Sequence, residues 1–296
     1  MPKEKLKTLV YSFGKLLGIL GLLFVFYTLS QEYTLSSFSQ QFILFIDILP
    51  LLIILNILAM IIGIYAWYQM LGHYASAPLN YLTSYYYFSK TEIAKYLPGN
   101  IFHFIGRQAL ASKIGISQTQ MAKISLLFSF LLLTGTVFIT SIFAFISQEV
   151  SLINLILLGL SSLVSFVLLF LLYKTFPLSK KLFMNLYLAL SVALQGILLA
   201  IIVAYQSESF SSSLFFLCVA IYSLSWLIGF VTPGASGGLG VREGAFIALV
   251  SYLNIAISSE IVIFSILLVR LINIVVDILL YLSTFMIENK IKEVKI

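Results

Sequence analysis

Runs of roughly twenty predominantly apolar residues recur along this chain, each near the length a helix needs to cross the hydrocarbon core of a bilayer. Backbone groups in hydrocarbon must find their hydrogen bonds internally, which leaves only helices or closed barrels. Barrel strands alternate apolar and polar residues, and these runs do not. Composition agrees: of 296 residues, 61% are hydrophobic and 9% charged, against roughly 25% charged in soluble domains. A water-soluble fold is excluded. The expected class is an all-α polytopic membrane protein. The net charge of +6 is no sign of nucleic-acid binding, because the lysines cluster at helix ends, where membrane topology places them. Cys218, the single cysteine, rules out an intramolecular disulfide framework and reads as packing.

The runs predict six full spans, at roughly 9–29, 42–67, 120–146, 152–173, 182–206 and 261–286. The N-terminus, with Lys3, Lys5, Lys7 and Lys15 before Leu16–Leu29, imitates a signal peptide. No small-residue cleavage site follows, so a retained first span is expected. Lysines at the N-terminal tail, at 113 and 123, at 174, 180 and 181, and at 290, 292 and 295 mark the cytoplasmic side, with both termini there. The connections Gln31–Gln41, Ser147–Ser151, Gln206–Ser213 and Asn254–Glu260 carry no Lys or Arg and are expected outside. These sides alternate correctly only if two polar-interrupted stretches, 79–117 and 213–255, each enter and leave on one side. They are therefore expected to be re-entrant helical hairpins of opposite orientation. The chain then divides into inverted-topology repeat halves, approximately 1–147 and 148–296, within a single membrane domain. Transporters built from inverted repeats place their binding site where broken helices meet near the midplane.

Each broken stretch carries a matched phrase. Tyr96–Arg107 reads YLPGNIFHFIGR and Val231–Arg242 reads VTPGASGGLGVR. Both open on Pro-Gly, at Pro98-Gly99 and Pro233-Gly234, and both place an arginine nine residues after the proline. Proline ends a helix and glycine lets the chain reverse. Freed backbone groups at membrane depth are tolerated only against protein or a wet cavity, and the half-helix that follows presents N–H groups suited to an anion. Gly234, Ser236, Gly237 and Gly238 would let a ligand approach the backbone closely. Arg107 and Arg242 each cost about 2.5–3.5 kcal/mol at bilayer depth. Their planar forks suit phosphate. An anionic-headgroup site between the hairpins follows, with Asn100 and His103 as further candidates.

Plainer readings stand beside these. Pro-Gly is a common turn, Arg107 could anchor topology beside Lys113, and His103 could be a helix-packing histidine. Glu243 adjoins Arg242 in sequence, but adjacent helical residues do not face each other, so the partner of Arg242 must lie elsewhere. Arg270 and Asp277 fall on one face of the last span, about 10 Å apart along its axis. They either pair through a third group or line the substrate path. Asp47 is a candidate partner for Arg270, a proton carrier or an interfacial residue. Tyr85–Phe88 with Trp67 reads as an aromatic belt, and Glu92, between Lys90 and Lys95, as part of a wetter, cytoplasm-facing helix.

KYLPGNIFHFIGR and TPGASGGLGVREGA resemble the flippase-like membrane domain of lysylphosphatidylglycerol synthases and its stand-alone relatives, often encoded with glycan-assembly genes. The resemblance covers nearly the whole chain, and GGLGVREG is its most specific part. It implies lipid translocation in a prokaryotic plasma membrane: in the fused enzymes this domain moves an aminoacylated phospholipid between leaflets, and stand-alone members look like candidates for moving an anionic lipid, a polyprenyl phosphate or a lipid-linked glycan. Partner glycan-assembly enzymes, no cofactor and no nucleic acid are expected. About ten residues follow the last expected span, so aminoacyl-lipid synthesis is not expected of the chain. The enzymatic alternative is a polyprenyl-pyrophosphate phosphatase, whose Pro-Gly-x-Ser phrase PGASGG resembles. The arginine those enzymes need after the serine is Gly237 here, and the first hairpin lacks their glutamate cluster. A small-solute pore of aquaporin plan lacks its Asn-Pro-Ala pair, and a scaffold role would leave buried arginines unexplained.

Overall fold

The computed structural model describes residues 35–75, 78–97, 102–172, 177–207 and 210–293, together with residue 23. The expected first span at 9–29 lies outside the described residues apart from residue 23, as do Pro98, Gly99 and Asn100. Ten α-helices make up the described residues, which contain no strand: α1 (Leu35–Leu44), α2 (Leu49–Tyr74), α3 (Tyr81–Glu92), α4 (Phe102–Ala111), α5 (Gln118–Ser147), α6 (Leu152–Leu172), α7 (Leu178–Gln206), α8 (Ser212–Val231), α9 (Val241–Tyr252) and α10 (Ser259–Glu293). Five of them, α2, α5, α7, α8 and α10, are long and apolar enough to cross a membrane. The protein is a multi-pass helical membrane protein.

Helix boundaries follow local chemistry. A turn at 45–48 delays the expected 42–67 span to 49–74, and Pro50 sits in the first turn of α2, where its missing N–H has no role. Asp47 lies exposed in that turn, and among the described residues it forms no ion pair with Arg270. Asn80, Ser117 and Ser211 cap α3, α5 and α8, each accepting a backbone N–H from the residue three positions on. Along α2, Leu51, Ile54, Leu58 and Ile61 are exposed at helical spacing while Leu52, Ala59 and Ala66 are buried on the opposite face. That outward apolar stripe suits lipid.

Several polar side chains join neighbouring helices by hydrogen bonds. Asn185 donates to the Leu131 carbonyl (2.9 Å) and the Thr134 hydroxyl (2.6 Å), joining α7 to α5, while Ser191 donates to the Ala59 carbonyl (2.7 Å), joining α7 to α2. Small residues permit close crossings: a Cβ on Gly196 would lie 2.9 Å from Val219 Cγ1 on α8.

The two broken stretches fold differently from each other. In the first, α3, a 3₁₀ turn at Ile93–Tyr96, and α4 are each too short to span. In the second, the reading of 213–255 as polar-interrupted throughout is corrected: α8 is an unbroken 20-residue apolar helix, about 30 Å long. Only after Val231 does the chain break, and α9 returns along α8. The 3₁₀ turn Ser236–Gly238 meets the 3₁₀ turn Ile93–Tyr96, and both lie against α10 or its side chains. Gly238 (φ +74) is held so tightly against α8 that a Cβ would lie 3.3 Å from the Gly229 backbone. Both elbows therefore converge on one helix.

Candidate functional site

Three α10 side chains organise the meeting point. Asp277 takes the first elbow: its Oδ2 accepts from the Tyr96 hydroxyl at 2.6 Å and lies 2.9 Å from Lys95 Nζ. Arg270 takes the second, donating from Nη1 to the Gly237 carbonyl at 2.9 Å. The Arg270 guanidinium also lies over the Tyr96 ring, 5.5 Å from its centroid. Tyr96 is thus the third group linking Arg270 to Asp277, and both residues also line the central cavity. Asn273, between them, accepts the Asn56 amide at 2.6 Å.

Around this core the charges interlock. Lys95 lies 3.2 Å from Glu92, whose other oxygen accepts from Arg107 at 2.6 Å. Arg107 is 4% exposed and boxed by the rings of Trp67, Phe88, Phe104 and Phe128, with centroids 4.6, 4.5, 5.8 and 5.5 Å from the guanidinium carbon. Cation–π attraction and a carboxylate together hold this charge away from water. Glu243 accepts the Gly240 N–H at 2.7 Å and lies 3.8 Å from Arg270 Nε. Arg242 differs from the others. It reaches the Gly237 carbonyl at 3.4 Å and lies over Trp226 at 5.6 Å, and among the described residues no carboxylate forms an ion pair with it.

A cavity of about 120 Å³ opens between these groups, lined by side chains of both elbows, of α7 (Ser191, Gln195), of α8 (Trp226) and of α10. In the lining, Lys95, Arg107, Arg242 and Arg270 face Glu92 and Asp277, an excess of positive charge, and Glu243 stands behind Arg270. Several buried donors lack a hydrogen-bond partner, Nε of Arg107, Arg242 and Arg270 and Nη2 of Arg270, as do His103 Nδ1 and the acceptor Glu243 Oε1, which faces Arg270 Nε. An unmade hydrogen bond at a buried group costs about 1–3 kcal/mol, more when charged. An anion with several oxygens would relieve that cost. Chemically, the arrangement can bind such an anion. Among the described residues, no cluster of His, Cys, Asp or Glu could hold a metal ion.

The sequence-predicted residues separate clearly. His103, Arg107, Gly237, Arg242, Arg270 and Asp277 line one cavity, and Glu243 abuts it through Arg270. Pro233 is exposed and Gly234 (φ +90) only shapes the turn, while the Ser236 side chain lies outside the described residues. The close approach at Gly237 is made by protein: a Cβ there would lie 3.2 Å from Arg270 Nη2 and 3.6 Å from the Tyr96 ring. The α9 N-terminus is not open to an anion either, since Glu243 caps it. Arg107 is buried, which removes the topology-anchor reading. Glu92 sits in the cavity wall instead of a wet helix, and Trp67 and Phe88 box Arg107 instead of forming a belt. Lys95, Tyr96, Gln195, Trp226 and Asn273 are additional lining residues. Their one sequence signal is Lys95-Tyr96 at the opening of the first Pro-Gly phrase, separated from Pro98 by one residue. No family model matches the chain, and no curated protein matches it.

Proposed function

We propose that the chain is a lipid transporter of flippase or scramblase type, which takes the phosphate-bearing headgroup of an anionic lipid into the cavity while the tails stay in the bilayer. The observation that supports this most is Arg242: 8% exposed, deep in an apolar protein, and in no ion pair with a carboxylate among the described residues. Natural membrane proteins keep such a charge for a substrate or ion path. The other guanidinium groups with unpartnered donors face the same space.

The topology proposed with it has six full spans, the expected span at 9–29 with α2, α5, α6, α7 and α10. Helix α8, long enough to cross, is the long arm of a hairpin that the shorter α9 brings back. The α3–α4 and α8–α9 hairpins then enter from opposite faces as parts of an inverted repeat. Each elbow is tied to α10 by a separate contact, Asp277 for the first and Arg270 for the second. Alternating access would release one tie while keeping the other, as one unit rocks against its counterpart. The resemblance of the two Pro-Gly phrases to the flippase-like domain of lysylphosphatidylglycerol synthases agrees with this reading. So does a prokaryotic plasma-membrane location with cytoplasmic termini, serving enzymes that assemble or consume the lipid.

The test is transfer itself. Full-length protein reconstituted in liposomes with a fluorescent phosphatidylglycerol should let externally added dithionite quench the inner-leaflet dye. Quenching should go well past the roughly half reached in protein-free vesicles. A plateau equal to that of protein-free vesicles would refute the proposal.

A further inference from the structure

Resting on the reading of the cavity as an anionic-headgroup site, we infer that the Gly237 carbonyl holds the place of a ligand oxygen. A phosphate entering the cavity takes Arg270 from that carbonyl and frees the second elbow from α10. Arg270 is then the positioning residue through which headgroup binding moves one hairpin and leaves the other in place.

The second elbow's tie is built to be exchanged. Arg270 Nη1 donates to the Gly237 carbonyl at 2.9 Å, and Arg242 Nη2 reaches the same oxygen at 3.4 Å. Two buried guanidinium groups thus meet on one uncharged acceptor, and all three residues line the cavity. Nε of both arginines and Nη2 of Arg270 are left without a hydrogen-bond partner. A phosphate brings negative charge and several oxygens, which a guanidinium fork grips through two parallel bonds. A lone carbonyl offers neither. A ligand shifts a conformation only by binding one state more tightly than the other. Here the freed elbow leaves more guanidinium donors for the phosphate than the tied one does.

The other contact between Arg270 and the second hairpin weakens at the same moment. Glu243, on α9, has Oε1 unpartnered and 3.8 Å from Arg270 Nε. An anion on Arg270 cancels that attraction and repels the carboxylate. The other Glu243 oxygen keeps the Gly240 N–H at 2.7 Å, so α9 stays capped while the turn before it comes away.

The first elbow's tie gives a phosphate nothing to exchange. Lys95 lies 2.9 Å from Asp277 and 3.2 Å from Glu92, and the Tyr96 hydroxyl donates to Asp277 at 2.6 Å. The acceptors here are carboxylates already, so a phosphate would replace one anion by another. None of these four side chains has an unpartnered buried polar atom. All the first elbow gives up is the Arg270 guanidinium over the Tyr96 ring, 5.5 Å from its centroid.

The test is backbone hydrogen exchange of the full chain in mild detergent, read by mass spectrometry. The Gly238 N–H, bonded to the Ala235 carbonyl, reports on the second elbow, and the Leu97 N–H, bonded to the Ala94 carbonyl, on the first. The probes are phosphatidylglycerol and undecaprenyl phosphate, each against its phosphate-free counterpart, diacylglycerol and undecaprenol. The unfolding temperature measures binding. A phosphate-bearing lipid should raise it and speed exchange across 232–240 by about tenfold, the effect of one lost hydrogen bond to a charged group. Exchange across 93–97 should not change. Stabilisation with unchanged or slower exchange at 232–240, or with faster exchange at 93–97, would overturn the coupling and leave the headgroup site standing. Stabilisation by neither phosphate lipid, or equally by the phosphate-free counterparts, would remove the headgroup reading itself. Inorganic phosphate at the same concentration should change neither quantity, and an equal effect from it would remove the lipid from that reading. Arg270→Gln, shorter and uncharged, should exchange about tenfold faster at 232–240 before any lipid is added, and lipid should add nothing. Wild-type protection in this variant would show that the tie does not hold the turn.

Discussion

Arg242→Ala is expected to slow lipid transfer by about ten- to hundred-fold, the loss of a charge-assisted hydrogen bond worth about 1.5–3 kcal/mol. Fold stability should hardly suffer. Arg242 has only a long contact to the Gly237 carbonyl and a distant approach to Trp226, with no ion pair among the described residues. Removing it gives up about 0.5–2 kcal/mol of cation–π attraction and packing, while relieving an insertion cost of about 2.5–3.5 kcal/mol. The relief outweighs the loss, so the variant should unfold at or above the wild-type temperature. Arg242→Lys keeps the charge and loses the planar fork, and should transfer lipid at an intermediate rate. Transfer and thermal unfolding measured on the same preparations check both halves. Wild-type transfer by Arg242→Ala would show that the group is not on the ligand's route.

Glu92→Ala should have the opposite signature, a large loss of stability. Its carboxylate, 17% exposed, faces Arg107 at 2.6 Å and Lys95 at 3.2 Å. Deleting one partner of a buried ion pair leaves an uncompensated charge and costs about 3–5 kcal/mol. The Arg107 guanidinium would then be left with aromatic faces alone, inside a box of four rings. Removing the stranded charge as well should restore much of the loss, because replacing both members of a buried pair by apolar residues is often neutral. Glu92→Ala combined with Arg107→Leu is therefore expected to unfold at a higher temperature than Glu92→Ala alone. Equal midpoints for the single and double variants would show that the pair is not coupled. Together the two experiments separate matched arginines with different duties: Arg107 braced into the fold, Arg242 left open to a ligand.

That separation was invisible in the sequence, where the two arginines occupy equivalent places nine residues after a proline. Hydropathy made the helical membrane class legible, because apolar runs of this length have few other fates. The same runs placed α5 and α7 to within four residues at either end. The start of α2 was misplaced because Phe42–Phe45 is as apolar as the helix that follows the turn. In the second stretch the glycines mark the break after Val231, while the unbroken α8 ahead of them reads in hydropathy like any other span. The partners of the arginines were hidden for a different reason. Lys95 and Asp277 lie 182 positions apart, and Arg270 meets the Gly237 carbonyl across 33 residues. No spacing rule connects such pairs until helices pack. The aromatic box around Arg107 draws Trp67, Phe88, Phe104 and Phe128 from four helices, α2, α3, α4 and α5.

Native mass spectrometry of the full chain, released from the mildest detergent that keeps it folded, addresses the interior anion pocket most directly. Retention of one phosphorus-containing lipid per chain, lost on Arg242→Ala, is the predicted result. A wild-type chain that carries no such lipid, or an Arg242→Ala variant that keeps as much as wild type, would contradict it.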